Sequence, residues 1–247
     1  YTDALTMADH AMTYRLVVKE IALKHGAWAT FMPKPIFGVN GNGMHTHMSL
    51  FKGERNAFYN SRSRYHLSKI AKYYIAGLLQ HAQEITLVTN QWVNSYKRLV
   101  PGYEAALFTT WSHINREDLI RVPAYKPGKE SAVRVEYRSP DPACNPYLAF
   151  AVMLAAGLEG IEKQYALPPP SQKEGVSEIT QAKSKAGIKM LPQDLSQAIE
   201  IAEGSSLLQR ALGDHIFTKF IANKKIEWDN YRAQVTGYEL DQYLKIL

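Results

Sequence analysis

Two short stretches of the chain alternate polar and apolar residues with a period of two, and their polar residues are types that bind metals and anions. In residues 43–50 the odd positions are Gly43, His45, His47 and Ser49, and the even ones are Met44, Thr46, Met48 and Leu50. In residues 133–138 the even positions are Arg134, Glu136 and Arg138, and the odd ones are Val133, Val135 and Tyr137. Successive side chains of a strand point to opposite faces. Each stretch therefore predicts a strand with an apolar back on a core and a chemically equipped front. Imidazole and carboxylate hold divalent cations, and guanidinium forks match phosphate and carboxylate. A lone His45 would be read as structural. Paired with His47 and set beside Arg-x-Glu-x-Arg, it points to an active-site floor.

The elements around these strands follow from apolar spacing and stop signals. Residues 3–25 carry Leu5, Ala8, Met12, Leu16, Val17, Ile21 and Leu23 near helical spacing, and Gly26 is a stop. Residues 29–36 predict an edge strand interrupted by Pro33 and Pro35. The turn Gly38-Val39-Asn40-Gly41-Asn42-Gly43 tolerates positive φ and offers free backbone N–H groups. A long amphipathic helix is predicted over residues 65–88, a short one over 94–99, and irregular chain over 102–130. Asn145-Pro146 predicts an N-cap with proline at the first helical position, opening a buried helix to about Lys163. A proline-rich connector over 167–175 leads to a helical tail from about 180 to 247. In that tail Trp228, Tyr231, Tyr238 and Tyr243 read as core or subunit interface. There is no internal repeat.

With 46% hydrophobic and 21% charged residues, the 247-residue chain has a globular composition and not a disordered or fibrous one. No run approaches the roughly 20 apolar residues of a membrane span. The net charge is +6, but no block of like charges argues for nucleic acid, and the scattered arginines favour a small anionic substrate. The single cysteine, Cys144, forms no intrachain disulfide, reads as a packing residue and fits a reducing cytoplasm. The start, without Met and reading as the inside of a helix, predicts a fragment whose N-terminus lies upstream.

Taken together, the strings Phe31-Met32-Pro33-Lys34-Pro35, residues 40–50, residues 94–105 (Asn-Ser-Tyr-Lys-Arg-Leu-Val-Pro-Gly-Tyr-Glu-Ala), Asn115-Arg116, Glu136-Tyr137-Arg138, Asp141-Pro142 and residues 145–150 resemble the catalytic domain of type I glutamine synthetase. The likeness runs through the whole chain, in order. It implies an α+β fold with a curved antiparallel sheet, one active-site face, helices behind it and a helical C-terminal region. It also implies one domain over 1–247, with a site-bearing part to 165 and a helical part from 166. The activity implied is an ATP-dependent ligation of glutamate and ammonia through γ-glutamyl phosphate, with Mg²⁺ or Mn²⁺ as cofactor. The assembly implied is two stacked hexameric rings in the cytoplasm.

Carried over by that resemblance, His45 and Glu136 are metal ligands, and His47, Ser49, Arg121 and Arg134 face the nucleotide. Asn40, Gly41, Arg98 and Arg138 hold glutamate. Glu104 lies on a closing flap and takes a proton from ammonium, while Arg116 neutralises phosphate. Arg121 also reads as a loop-to-helix salt bridge. The remaining metal-ligand glutamates and a small β-grasp domain of the family precede the first residue here. Ala106 stands where the family has proline, Glu117 where it has a small hydroxyl residue, and Ser131 where it has lysine, with Lys129 nearby. Ser177 stands where some bacterial members carry a regulatory tyrosine. Two other readings share the pattern: a γ-glutamyl ligase for larger amines, and an inert structural relative, which the intact set of charged residues opposes.

Overall fold

The computed structural model describes residues 1–171 and 188–247. The first helix, α1 (Ala4–Lys24), starts at an Asp3 cap whose carboxylate accepts the Thr6 N–H. It ends where Gly26 turns left-handed at φ 69°. Only Ala8 of α1 is buried, so its apolar positions face outward. Residues 29–36 make no ladder. Pro33 and Pro35 lack the N–H groups a ladder needs, and the segment is instead held by side-chain amides, described below.

The expected helix over 65–88 is two helices, α2 (Lys69–Gln80) and α3 (Ala82–Thr89). Tyr65 and His66 have positive φ, so α2 begins only after Ser68, whose hydroxyl caps it. The break falls at His81, with φ −99° and ψ 8°. There the imidazole Nδ1 lies 2.9 Å from Glu84, and Nε2 lies 3.5 Å from Glu159 of the next long helix. After α3 comes α4 (Val93–Arg98), and α5 (Pro146–Glu162) opens as expected from Asn145, whose amide oxygen accepts the N–H groups of Tyr147 and Leu148. The tail holds α6 (Leu195–Glu203), α7 (Ser206–Arg232) and α8 (Gly237–Tyr243). No helix among the described residues is long and apolar enough to cross a membrane.

The sheet is built from β1 (Thr46–Met48), β4 (Trp111–Ser112), β5 (Ile120–Arg121) and β6 (Val135–Tyr137), while β2 (Phe51–Lys52) and β3 (Arg55–Asn56) form a separate hairpin. Its order is β1-β6-β5-β4. The three strands carrying the equipped face are antiparallel, and only the outer β4–β5 pair is parallel. Two of these strands lie in residues 102–130, where irregular chain was expected. At two residues each they are too short to show an alternation.

Behind the sheet, Val135, Tyr137 and Ile120 are fully buried, and the Tyr74 hydroxyl of α2 reaches the Met48 sulfur at 3.4 Å. Helices α2 and α5 cross at glycines. A Cβ on Gly77 would lie 2.2 Å from the Ala156 carbonyl oxygen, and one on Gly160 would lie 2.3 Å from that of Tyr73. One apolar cluster runs from Phe58 and Tyr74 through Val152 and Met153 to Leu195, Leu207 and Ile221. Cys144 belongs to it, and burial pushes its thiol up. The Ser177 position falls outside the described residues.

Candidate active site

The register of the sheet sets the site. His47 of β1 is the partner of Glu136 in β6, and Glu136 is in turn the partner of Arg121 in β5. Paired residues point to the same side of a sheet, so these three form one row across three strands. Flanking it by alternation are His45 and Ser49 on one side, and Arg134 and Arg138 on the other. The back of the same strands is the apolar core described above.

Glu136 is the centre of the charge arrangement and is only 2% exposed. Its Oε1 lies 2.8 Å from Arg138 Nη1 and 3.1 Å from His45 Nδ1, and its Oε2 accepts from Arg121 Nε at 2.5 Å. Burial by itself would raise the carboxyl pKa. The hydrogen bonds from His45 and Arg121, with the charge of Arg138, overcome it and hold the group at about 2. Arg121 was expected on a loop; it is a strand residue, and its partner is this carboxylate rather than a helix.

His47 accepts a hydrogen bond at Nδ1 from Arg134 Nε at 3.1 Å. That contact requires the neutral ring. Burial first, then the positive charges of Arg134 and Arg121, hold its pKa below the ordinary imidazole value, against the pull of Glu136. Arg134 also donates to the Ala132 carbonyl. Ser49 follows the end of β1 and is half-buried.

The second wall of the site is the loop over residues 38–44. It is pinned by three hydrogen bonds: Asn42 N–H to the Pro33 carbonyl, Asn42 Nδ2 to the Met32 carbonyl, and Met44 N–H to the Pro140 carbonyl, each 2.8 Å. Positive φ, which the composition of the turn tolerates, occurs in it only at Gly38. Gly41 and Gly43 are there for close approach instead. A Cβ on Gly41 would lie 2.3 Å from the Pro33 oxygen, and one on Gly43 would lie 2.6 Å from Arg98 Nη2. Asn40, at the rim, is exposed.

Arg98, at the end of α4, lies beneath this loop and is 4% exposed. Its guanidinium donates to the carbonyls of Ser139 (2.6 Å), Pro140 (3.3 Å) and Arg138 (3.2 Å). It thus braces the chain leaving β6, with Gly41 and Gly43 of the loop packed close against it. Arg138 Nε donates to the Arg116 carbonyl at 2.9 Å, so the backbone of Arg116 orients Arg138 while its own side chain is exposed. Glu104 is exposed on the loop after Pro101-Gly102, in the left-handed region at φ 53° and next but one to Gly102 at φ 90°.

The structure thus brings together His45, His47, Arg121, Arg134, Glu136 and Arg138, places Arg98 and Gly41 directly alongside, and leaves Asn40, Glu104 and the Arg116 side chain at the rim. Sequence spacing misses Lys34, because its side-chain partners come from residues 39 and 103. For a divalent ion, the pair His45–Glu136 fits as two donors. They are one imidazole and one carboxylate, and a carboxylate has about four lone-pair positions, so guanidinium contacts do not exhaust it. Among the described residues no three His, Cys, Asp or Glu side chains gather into a metal shell. Two donors by themselves are fewer than a complete coordination sphere needs.

The chain also resembles known proteins along nearly its whole length. A family model described as the glutamine synthetase catalytic domain matches residues 1–243. The chain is 54% identical over all 247 residues to glutamine synthetase of Mycolicibacterium smegmatis, covering 55% of that protein. It is 50% identical over 244 residues to glutamine synthetase of Thermus thermophilus, covering 99% of this chain and 54% of that protein. The chain therefore spans about half the length of these relatives. Among solved structures, a GmaS/ADP complex superposes with a TM-score of 0.86 at 36% identity, over 99% of this chain and 56% of that one. Plasmodium falciparum glutamine synthetase superposes with a TM-score of 0.85 at 27% identity, over 98% of this chain and 55% of that one. With its equipped sheet face and its match along nearly the whole length, the chain belongs to the glutamine synthetase catalytic-domain family.

Proposed function

We propose that this chain forms one wall of the active site of a glutamine synthetase, an ATP-dependent ligase that joins glutamate and ammonia through γ-glutamyl phosphate. The observation that carries the reading is the row His47–Glu136–Arg121. It presents an ionised carboxylate, a neutral imidazole and guanidinium groups on one open face, as transfer of a phosphoryl group between anions requires. One solved relative is a GmaS/ADP complex, which supports an adenine nucleotide as a ligand of this chain's family fold.

In this reading His45 and Glu136 hold one Mg²⁺ or Mn²⁺, whose chemistry is to neutralise phosphate oxygens. The protein's own groups do the rest. Arg121, Arg134, His47 and Ser49 orient the nucleotide, and Arg116 neutralises negative charge that develops on the transferred phosphoryl. Asn40, Gly41, Arg98 and Arg138 hold the substrate glutamate. Glu104 takes a proton from ammonium, freeing the lone pair of ammonia for attack on the acyl carbon. The other ligands and the cover of the site belong to sequence beyond this chain. In the assembled enzyme, two stacked hexameric rings form, with α8 between them.

The test is turnover of the full-length protein with ATP, a divalent ion and glutamate, offering ammonium or a larger primary amine. Glutamine formation with ammonium preferred supports the reading. Preference for the larger amine replaces it with an amine ligase of the same fold. Absence of any ATP-dependent product supports an inert relative.

A further inference from the structure

We infer that Lys34 is a positioning residue that locks the glutamate-side loop to the flap, an inference that rests on the glutamine synthetase reading above. Lys34 is 9% exposed. Its ammonium donates to the Val39 carbonyl, one residue before Asn40, and stands 3.4 Å over the centroid of the Tyr103 ring, one residue before Glu104. A cation this close to a ring face is a favourable contact, stronger when it is withdrawn from water. One buried charge therefore touches both segments that flank the open rim of the site.

The root of that side chain is fixed independently. The Asn94 amide oxygen accepts the Lys34 N–H at 2.8 Å, and its amide nitrogen donates to the Lys34 carbonyl at 3.0 Å. Asn94 thus pairs with Lys34 as a neighbouring strand would, although Pro33 and Pro35 exclude a ladder there. Because Asn94 lies in α4, the helix that carries Arg98, the lock is referenced to rigid structure. The flap tip is irregular: Gly102 and Glu104 are both left-handed, and Glu104 is exposed.

The consequence is chemical as well as geometric. A flap held down excludes water from γ-glutamyl phosphate. Water that enters attacks the acyl carbon. A C–O bond to water forms, the C–O bond to phosphate breaks, a proton leaves to solvent, and glutamate and phosphate are released where glutamine should have formed. Loss of the lock thus wastes ATP besides weakening glutamate binding.

The experiment compares Lys34→Met, Lys34→Arg, Tyr103→Leu and Tyr103→Phe in the full-length protein, measuring phosphate released per glutamine formed, the KM for glutamate, and the melting temperature. Lys34→Met and Tyr103→Leu should each lower kcat/KM for glutamate about tenfold, the scale of one desolvated cation–ring contact. Both should raise the ratio of phosphate to glutamine, and the double variant should be no worse than either single one. Lys34→Arg, which keeps the cation, and Tyr103→Phe, which keeps the ring, should restore the wild-type ratio. A wild-type ratio in both Lys34→Met and Tyr103→Leu overturns the inference, as does a lowered melting temperature with the ratio unmoved. If the wild-type protein forms no glutamine at all, the functional reading fails instead, and the two failures are distinct.

Discussion

His47 and Glu136 stand opposite each other across β1 and β6, yet they share no arginine partner. His47 Nδ1 accepts from Arg134 at 3.1 Å, while Glu136 accepts from Arg121 at 2.5 Å and Arg138 at 2.8 Å. Burial and the charges of Arg134 and Arg121 hold the imidazole neutral against the pull of Glu136, while His45, Arg121 and Arg138 hold the carboxylate ionised. Three guanidinium groups thereby lie on one patch, and Glu136 is the counter-charge to two of them, Arg121 and Arg138.

Replacing Glu136 should therefore cost stability as well as activity. In Glu136→Gln the shape is kept, but Arg121, Arg138 and His45 lose their anion. A broken buried ion pair costs about 3 kcal/mol. Denaturant unfolding beside ATP-dependent turnover should show both losses together. Full stability with activity gone would mean that the arginines find other partners, and the structural share of Glu136 would be dropped.

The pH dependence follows from the same carboxylate. Its folded pKa of about 2 lies below the ordinary value of 4.5, so it contributes stability that is complete above 4.5 and is lost as pH falls from there towards 2. Acid unfolding of the Glu136→Gln variant should lack that part of the slope. Identical slopes below pH 4.5 for variant and wild type would contradict the assignment.

Gly41→Ala should act on substrate and not on nucleotide. The added Cβ would meet the Pro33 carbonyl at 2.3 Å, backbone that cannot rotate away, so the loop must shift. Misplacing a binding loop by a fraction of an ångström costs about tenfold or more. The KM for glutamate should rise while that for ATP stays near wild type. Equal rises in both would show that the loop serves the whole cleft.

The α2–α5 crossing offers a stability test with an internal control. Gly160→Ala puts a Cβ 2.3 Å from the Tyr73 oxygen and 2.6 Å from the Gly77 Cα, whereas Gly204→Ala meets nothing nearer than 3.7 Å and has φ −81°. The first should lose about 2 kcal/mol by overpacking. The second should be neutral or slightly stabilising, since alanine restricts the unfolded chain. Thermal unfolding of the two variants side by side decides it, and equal melting temperatures would refute the close-approach argument.

Removal of residues 239–247 should dissociate the proposed double ring. No residue of α8 is buried, and Leu240, Tyr243, Leu244 and Ile246 are all exposed, an apolar stripe at the chain end with no cover of its own. Light scattering should show single rings or smaller species. An unchanged mass after deletion would remove α8 from the ring contact.

What the sequence determined by itself was local chemistry. Period-two alternation placed His45, His47, Arg134, Glu136 and Arg138 on equipped faces. Asn145-Pro146 marked the start of α5, and Gly26 marked the end of α1. These features depend on near neighbours, and near neighbours are what spacing encodes. Tertiary structure decided the rest. Register, a relation between residues about ninety apart, made His47 and Glu136 partners and brought in Arg121 from strands too short to alternate. Packing split the helix at His81, whose imidazole meets a carboxylate of α5. It also gave Gly41 and Gly43 their purpose, since what a glycine must avoid, here Pro33 and Arg98, depends on which elements are pressed against it.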